Sequence, residues 1–487
     1  MLTNKSNIFW KPNSKSEKAE IITGFKELYK HKQNKEKLPQ NKILELMIQD
    51  MRYITENHEL FGNLPTPYNT KSNARDINGL SQKIIMKILN NNSKNLIDTA
   101  NNFLKLLYKI ELSQGANFII HTTSRIILKK KKQNIESWTD LRSLSIMPAM
   151  IMVHDKILRS IVTTIIDPNL NENQFGGRTG QNTILARILL NYKAINNRFN
   201  KILLIDLKKA FDCVDRNILK EKINKDSKIN ESNKGLINNI LTIYDSININ
   251  IHNDIIEPTR GVPQGSVFGP IFFTYYVNNI LSNLQNKFKD KINIQAFIDD
   301  IALQAEDTKT IQDAFNDINE EISKLNMEIN TKKCEFITNN IGETITNIKT
   351  QEIVPSTQQA KYLGQILNEN GEPISIITKE QLGSIGKTIG INSKSIPIRT
   401  HIKIFKIWMK SKINHLLPII AMTKGIFESW KNIRKVIFTP ILNRLTLPLE
   451  AASLMGLSFF ETFVKPLLTI KDKYIENKQD ELTKYVK

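Results

Sequence analysis

The sequence is poor in cysteine and has no long hydrophobic run. Cys213 and Cys334 are its only cysteines among 487 residues, and no Cys-x-x-Cys pair occurs. This argues against a zinc finger and against a disulfide framework. The apolar stretch 271–277 is far too short to span a bilayer, and the N-terminal residues lack the apolar core of a secretory signal. We therefore expect an intracellular protein with no membrane partner, in a compartment that the sequence does not specify.

Acidic residues are also scarce relative to basic ones. The chain has 68 Lys and Arg against 48 Asp and Glu, a net charge of +20, with 40% hydrophobic residues. This composition is ordinary for a globular core, but the charge attracts polyanions, most commonly nucleic acid. From Gln365 onward the pattern is helical and basic, with Lys403, Lys406 and Lys410 on one predicted helical face. The alternative is a generally basic surface with no specific partner.

The most informative stretch is 293–307, in which two β-prone runs flank the adjacent carboxylates Asp299 and Asp300. This pattern predicts a hairpin with an acidic tip. Adjacent aspartates repel each other, so a cation such as Mg²⁺ is expected beside them, although aspartate is also common in solvated turns. A second candidate ligand, Asp206, ends the apolar run 202–205. Three carboxylates on adjacent strands can hold two Mg²⁺ ions for phosphoryl transfer.

Two other segments carry features that suit a polyanionic substrate. A β-prone run leads into four consecutive lysines, 129–132, which form either a solvated loop or a phosphate-binding patch. The glycine loop 174–180 allows close backbone approach, but no Gly-Lys-Ser/Thr follows, so it is not a Walker loop. An ordinary turn is the alternative reading of this loop.

These motifs, in this order, resemble the reverse transcriptases of non-LTR (LINE-type) retrotransposons, with group II intron and retron enzymes as more distant relatives. The resemblance runs from about Lys71 to Leu367. The segments that carry it are 71–79, 126–146, Gln174–Gly180, Ile205–Asp212, Gly261–Ser266, Phe297–Asp300, Asn330–Glu335 and Tyr362–Gly364. Departures from the family pattern include Ala74, Gly177, Thr179 and Ile298, and none of them removes a charge.

The resemblance implies a role for individual residues. Asp206, Asp299 and Asp300 would be catalytic metal ligands, assisted by the carbonyl of Leu207, and Lys333 would protonate the departing pyrophosphate. The nucleotide-binding residues would be Lys129 or Lys130, Arg142, Phe211, Gln264 and Gly265. Phe211 would exclude a 2′-hydroxyl, although a core aromatic is the plainer reading of that position, as a surface lysine is of Lys333. Nucleic acid would be bound by Arg178, Tyr362, Gly364, Lys403, Lys406 and Lys410.

The implied fold is α+β, a right-hand polymerase with fingers, palm and thumb and a helical N-terminal extension. We predict the extension at 1–110, fingers at 111–200, palm at 201–365 with part of the fingers between 214 and 258, and a helical basic thumb and tail at 366–487. The implied cofactors are two Mg²⁺ ions, with Mn²⁺ as an alternative.

The predicted activity is RNA-directed DNA polymerisation from a DNA or RNA primer, with template RNA and deoxynucleoside triphosphates as partners. The alternatives are a group II intron-like maturase and a non-catalytic RNA-binding palm that scaffolds a ribonucleoprotein. We find no room for an N-terminal nuclease and no C-terminal Cys/His cluster. Any nicking activity is therefore expected from a separate endonuclease or a ribonucleoprotein partner.

Overall fold

The computed structural model describes residues 9–30, 37–65, 67, 74–90, 93, 95–113, 120–131, 133–196, 199–340 and 342–374. The predicted basic face of Lys403, Lys406 and Lys410 lies outside these residues, as does Lys132.

Five helices come first in the described part of the chain, helices and strands are mixed after them, and five strands come last, as expected for an α+β protein. The helices are α1 (Lys15–Tyr29), α2 (Gln40–Glu56), α3 (His58–Phe61), α4 (Gln82–Leu89), α5 (Leu96–Leu112), α6 (Ala149–Ile166), α7 (Thr183–Asn196), α8 (Arg216–Lys225), α9 (Glu231–Asp245), α10 (Gly269–Phe288) and α11 (Thr308–Lys324). The strands are β1 (Thr123–Lys130), β2 (Leu141–Ile146), β3 (Lys201–Ile205), β4 (Asn248–Ile251), β5 (Asp254–Ile256), β6 (Ile292–Phe297), β7 (Asp300–Ala305), β8 (Glu335–Ile337), β9 (Thr344–Asn347), β10 (Glu352–Thr357), β11 (Ala360–Tyr362) and β12 (Gln365–Leu367).

The largest sheet has six strands in the order β6-β7-β3-β8-β10-β9. Strand β3 lies between β7 and β8 and is antiparallel to both. All five residues of β3 are buried, which explains its continuous apolar sequence. Because β3 lies between two strands, the residue that follows it, Asp206, lies beside the adjacent ends of β7 and β8. The predicted hairpin at 293–307 is confirmed as β6 and β7.

A second sheet has the order β2-β1-β4-β5 and joins segments that are distant in sequence. Strands β1 and β2 are antiparallel, and β4 pairs parallel to β1 through the register Thr123–Asn248. Lys129, Lys130 and Arg142 therefore lie on one sheet with the 248–256 hairpin. Sequence reasoning assigned that hairpin to the fingers segment between 214 and 258, an assignment that stays a prediction.

The N-terminal helices share one apolar core with the rest of the described chain. Phe25 of α1, Met47 of α2, Phe103 of α5 and Phe272 of α10 are all fully buried in it. The predicted domain boundary at 110 thus does not coincide with a break in this core, and the division into domains remains a prediction.

A buried ionic cluster ties α2, α6 and α9 together. His154 Nε2 lies 3.0 Å from Asp50 Oδ2, and its Nδ1 lies 3.3 Å from Asp155 Oδ1. The Tyr244 hydroxyl donates to Asp155 at 2.6 Å. Burial by itself would lower the pKa of His154, but the two carboxylates outweigh it and raise that pKa to about 9. The imidazolium therefore compensates two carboxylates inside the core.

The α+β class is confirmed, but the helical pattern predicted from Gln365 is wrong at its start. Residues Gln365–Leu367 form β12, which pairs antiparallel with β11 across a turn at Leu363 and Gly364. This short apolar run satisfies its backbone by pairing within a hairpin, which helical spacing does not reveal. No helix in the described part of the chain is long and apolar enough to cross a membrane.

Candidate active site

The three predicted aspartates meet at one edge of the six-stranded sheet. Asp206 follows the last residue of β3, and Asp300 is the first residue of β7. Because Ile205 pairs with Ile301, Asp206 and Asp300 lie opposite each other one position further on. Asp299 lies in the two-residue turn between β6 and β7. The topology thus brings together residues that are more than 90 positions apart in the sequence.

Asp206 is held by a residue that sequence reasoning did not single out. Asn330 donates from Nδ2 to Asp206 Oδ2 at 2.9 Å, and its backbone N–H donates to the Asp206 carbonyl at 2.8 Å. Lys333 Nζ lies 3.8 Å from the same carboxylate oxygen, with 60% of its side chain exposed. Its place in the sequence could have identified Asn330 as a candidate, because it is the first residue of the motif Asn330–Glu335, which also contains Lys333.

The carbonyl of Leu207 is not used by the backbone pairing at this point. Leu207 forms an isolated bridge with Ile329, but the two hydrogen bonds of that bridge are made by Asp206 and Lys208. This geometry is compatible with the predicted role of the Leu207 carbonyl as a metal ligand, which stays a prediction.

The carboxylates disfavour one another's ionisation. Desolvation, with the charges of Asp299 and Asp206, raises the pKa of Asp300 to about 6. Burial and the charge of Asp206 also raise the pKa of Asp299, whereas Arg142 opposes this shift. A divalent cation would relieve the repulsion, and carboxylate oxygens are the ligands that Mg²⁺ prefers. As the side chains stand, no group of three or more His, Cys, Asp or Glu in the described ranges surrounds a single metal position. The suitability of these aspartates for a divalent cation therefore rests on their carboxylate oxygens and on the repulsion between their charges.

A basic cluster faces these carboxylates from the second sheet. Lys129 and Arg142 are paired residues on β1 and β2. Lys131 follows β1, and burial together with the charges of Lys333 and Arg142 lowers its pKa, while Asp212 and Asp206 oppose this. Lys131 was not among the predicted contacts, yet its charge interacts with both the cations and the carboxylates of the site.

Lys130 lies on a different side of the strand. The pKa of Glu17 in α1 is lowered mainly by hydrogen bonds from Asn13 and Trp10, and the charge of Lys130 makes a smaller contribution in the same direction. Alternation of side chains along a strand explains why neighbouring lysines have different surroundings. The charge of Lys131 interacts with Asp206 and Asp212, and its ammonium also donates to the Thr139 carbonyl at 2.8 Å.

The loop 261–266 is fixed by two glycines in conformations that L residues rarely adopt. Gly261 has φ +94° and Gly265 has φ +129°. A Cβ on Gly265 would lie closer than 3.0 Å to the Ser145 carbonyl oxygen. Ser145 in turn donates its backbone N–H to the Gln264 carbonyl at 2.7 Å. The predicted nucleotide loop is therefore in direct backbone contact with β2.

The side chain of Gln264 is oriented by a chain of hydrogen bonds that begins in the N-terminal extension. Gln264 Nε2 donates to Asp212 Oδ2 at 3.0 Å, and the Tyr29 hydroxyl donates to Asp212 Oδ1 at 2.9 Å. Tyr29 ends α1, and its backbone carbonyl accepts from the Thr259 N–H at 3.1 Å. Sequence reasoning missed Tyr29 because it lies 183 residues from Asp212.

Phe211 is half-buried and has a rigid support. Its ring stacks on Phe273 with 5.2 Å between centroids and an interplanar angle of 24°. Phe211 lies five residues after Asp206 in the chain. This placement is compatible with both a steric gate and a packing role.

Two predicted nucleic-acid contacts have side chains engaged inside the chain. Arg178 donates to Asp167 Oδ1 at 3.0 Å and to the carbonyls of Asn171 and Asp167. Tyr362 is buried, and its hydroxyl accepts from Gln295 Nε2 at 3.2 Å. Direct contact with nucleic acid through these two side chains would require both to leave their partners. Gly364 has φ +87°, and a Cβ there would meet no atom within 4 Å in the part of the chain that the structure describes.

Asp206 and Asp300 open into a cleft of about 440 Å³. Its other lining residues include three lysines and the β11–β12 turn: Lys332, Lys333, Lys361, Tyr362 and Leu363. A cleft that joins carboxylates to lysines suits a polyanion whose reacting end meets a metal.

The antiparallel strands β3 and β7 end in clustered carboxylates, which are faced by cations and a glycine-held loop. This arrangement suits metal-assisted phosphoryl transfer. Residues 127–367 match the family described as reverse transcriptase (RNA-dependent DNA polymerase). The chain therefore contains, over residues 127–367, a domain of the reverse transcriptase (RNA-dependent DNA polymerase) family, whose members generally use divalent metal ions.

The relatives confirm the resemblance to retrotransposon polymerases and intron proteins. The chain is 22% identical over 297 residues to the Retrovirus-related Pol polyprotein from type-1 retrotransposable element R2 of Nasonia vitripennis, covering 56% of this chain and 28% of that protein. It is 25% identical over 250 residues to the probable RNA-directed DNA polymerase from transposon X-element of Drosophila melanogaster, covering 47% and 26%. It is 26% identical over 153 residues to the putative COX1/OXI3 intron 2 protein of Saccharomyces cerevisiae, covering 31% and 17%.

The aligned segments thus span less than a third of each of these proteins. Among solved structures, apo telomerase from Candida tropicalis aligns over 96% of this chain and 95% of that chain, with a TM-score of 0.42 and 14% identity.

Proposed function

We propose that this protein copies an RNA template into DNA by extending a primer 3′-hydroxyl with deoxynucleotides. The observation that carries the proposal is the meeting of Asp206, Asp299 and Asp300 at one sheet edge, within a reverse transcriptase domain. These aspartates would hold two Mg²⁺ ions, or Mn²⁺ ions in their place. The bound metals would activate the primer hydroxyl and neutralise charge on the transferred phosphoryl group.

The surrounding residues would bind the other parts of the substrates. Lys131 and Arg142 would contact the triphosphate, with Lys129 as the neighbouring cation, because they face the carboxylates from β1 and β2. Lys333, which is exposed and lies 3.8 Å from Asp206 Oδ2, would bind or protonate the departing pyrophosphate. The cleft beside Asp300 would take the primer end.

Deoxynucleotide selection would come from the nucleotide pocket itself. The Phe211 ring, supported by Phe273, would lie under the sugar and leave no room for a 2′-hydroxyl. Gln264 would meet the incoming nucleotide from the loop that Gly265 holds against β2. Both roles depend on side chains that are already oriented before substrate binds.

Primer extension on a defined RNA template, with Mg²⁺ and all four deoxynucleotides, tests the proposal. Asp299→Ala should abolish synthesis, because it removes a metal ligand. Asp290→Ala is a matched control, since Asp290 is an exposed aspartate just before β6. Template–primer binding without extension in either Mg²⁺ or Mn²⁺ would refute catalysis by the isolated chain and favour the RNA-binding scaffold.

The similarity to a yeast intron protein supports a second candidate, an intron-like maturase that also assists splicing. A maturase should bind one structured intron RNA far more tightly than an unrelated RNA of equal length, and should accelerate its splicing. Equal affinity for both RNAs, with no effect on splicing, would leave polymerisation as the activity. A separate endonuclease or a ribonucleoprotein partner would then supply the nicked primer.

A further inference from the structure

The turn that carries Asp299 has an unusual residue at a demanding position. Ile298 is the first of the two turn residues, and its φ is +59°. The corresponding two-residue hairpin turn favours glycine there, because a positive φ brings Cβ against the backbone. A β-branched side chain makes this conformation especially unfavourable. Something outside the hairpin must therefore hold the turn in place.

Gln174 supplies that hold from a different part of the chain. Its Oε1 accepts a hydrogen bond from the Ile298 N–H at 3.0 Å and another from the Gly176 N–H at 3.0 Å. The side chain is fully buried. A single carboxamide oxygen thus connects the catalytic turn to the glycine loop 174–180. Loss of this acceptor would leave two backbone N–H groups without their partner, one of them buried at Gly176.

The glycine loop is itself fixed to the hairpin. Phe175 donates its backbone N–H to the Ala296 carbonyl at 2.8 Å, and Ala296 donates to the Asn173 carbonyl at 2.9 Å. Gly176 lies so close to Ile298 that a Cβ would overlap the Ile298 side chain and backbone nitrogen. The loop and the turn are therefore packed with no space for a side chain on Gly176.

We propose that Gln174 is a positioning residue for the catalytic turn: its carboxamide oxygen fixes Ile298 in its positive-φ conformation and so aims Asp299 and Asp300. The inference rests on the proposed function only in taking these aspartates as metal ligands. Without the Gln174 carboxamide oxygen the turn would relax, because isoleucine does not favour φ +59°. Metal binding by Asp299 and Asp300 would then weaken, although no residue in direct contact with substrate had been changed.

The test uses Gln174→Met, which keeps size and removes the acceptor, alone and combined with Ile298→Gly. In full-length protein, Gln174→Met should speed exchange of the Ile298 amide at least about tenfold. It should also raise the Mg²⁺ concentration for half-maximal primer extension about tenfold and weaken Mn²⁺ binding, followed by electron paramagnetic resonance. Ile298→Gly should restore the metal requirement, because glycine adopts the turn without support.

Gln304→Met is the matched control. Gln304 is also fully buried, lies on the same hairpin, and donates to the Leu190 and Phe199 carbonyls instead of contacting the turn. Gln304→Met should destabilise the protein without changing the metal requirement, that is, the Mg²⁺ concentration for half-maximal primer extension. The inference is overturned if Gln174→Met behaves like Gln304→Met, or if Ile298→Gly fails to restore the metal requirement. Should wild type not extend a primer, the proposed function fails, while amide exchange at Ile298 still decides the positioning role.

Discussion

Replacing Gly265 with alanine should damage nucleotide use far more than it damages the fold. At φ +129° any L residue is strained, which costs about 1–3 kcal/mol. The new Cβ would also lie closer than 3.0 Å to the Ser145 carbonyl oxygen, so the backbones must separate. That separation weakens the 2.7 Å hydrogen bond from Ser145 to the Gln264 carbonyl. Gln264, the proposed nucleotide contact, then moves away from its place.

A displacement approaching 1 Å at a substrate-positioning residue can lower the rate by about 100-fold. We therefore expect kcat/KM for deoxynucleotides to fall by about 10- to 100-fold in Gly265→Ala. The assay is steady-state single-nucleotide extension, run beside urea unfolding of the same variants. A loss confined to unfolding free energy, with normal kcat/KM, would show that this loop does not position the nucleotide.

Gly342→Ala separates backbone strain from the steric clash. Gly342 has φ +98°, but a Cβ there would meet no atom within 4 Å among the described residues. It should therefore lose a similar 1–3 kcal/mol from strain while keeping wild-type kcat/KM. If both variants lost the same fraction of activity, the clash with Ser145 would have no specific effect and the reasoning would fail.

Three further outcomes are expected. Phe211→Ala should raise incorporation of ribonucleotides relative to deoxynucleotides at least about tenfold in competitive single-nucleotide extension, and unchanged discrimination would assign the ring to packing against Phe273. Tyr29→Phe should lower kcat/KM for deoxynucleotides a few-fold by freeing Asp212, with little change in template–primer affinity measured by fluorescence anisotropy; a loss of affinity alone would contradict it. Burial would raise the pKa of Glu343, but its hydrogen bonds lower it to about 2, so its stabilisation is complete above pH 4.5 and disappears as the pH falls towards 2. Glu343→Gln should thus lower the free energy of urea unfolding at pH 7 by about 1 kcal/mol, because solvent screens its ion pair with Lys201. This deficit should narrow between pH 5 and pH 3, and a constant deficit would exclude an electrostatic origin.

Local sequence determined the elements that carry the chemistry. The buried strand before Asp206 and the two β-prone runs around Asp299 follow from continuous apolar patterns, which need no tertiary information. The order and spacing of the motifs identified the resemblance to reverse transcriptases, because both can be read directly from the sequence. The glycines at 261 and 265 were identifiable as turn residues, but not the atoms they approach.

Tertiary structure decided which side chains serve the site and how. Asn330 and Tyr29 bond Asp206 and Asp212 across 124 and 183 residues, separations over which no sequence pattern predicts a contact. Only the structure showed that the charge of Lys130 acts on Glu17 of α1, whereas the charge of Lys131 acts on Asp206 and Asp212. One step along a strand reverses the direction of a side chain.

For some residues, a sequence motif identified the position but not the interaction that the side chain makes. Arg178 and Tyr362 lie in the expected motifs, yet their polar groups already bond inside the chain. A motif specifies residue type and order, whereas the partner of a buried donor or acceptor depends on the packing around it. Gln174 illustrates the point most fully: it begins one of the recognised motifs, yet only the fold shows that its amide oxygen binds the backbone of the catalytic turn.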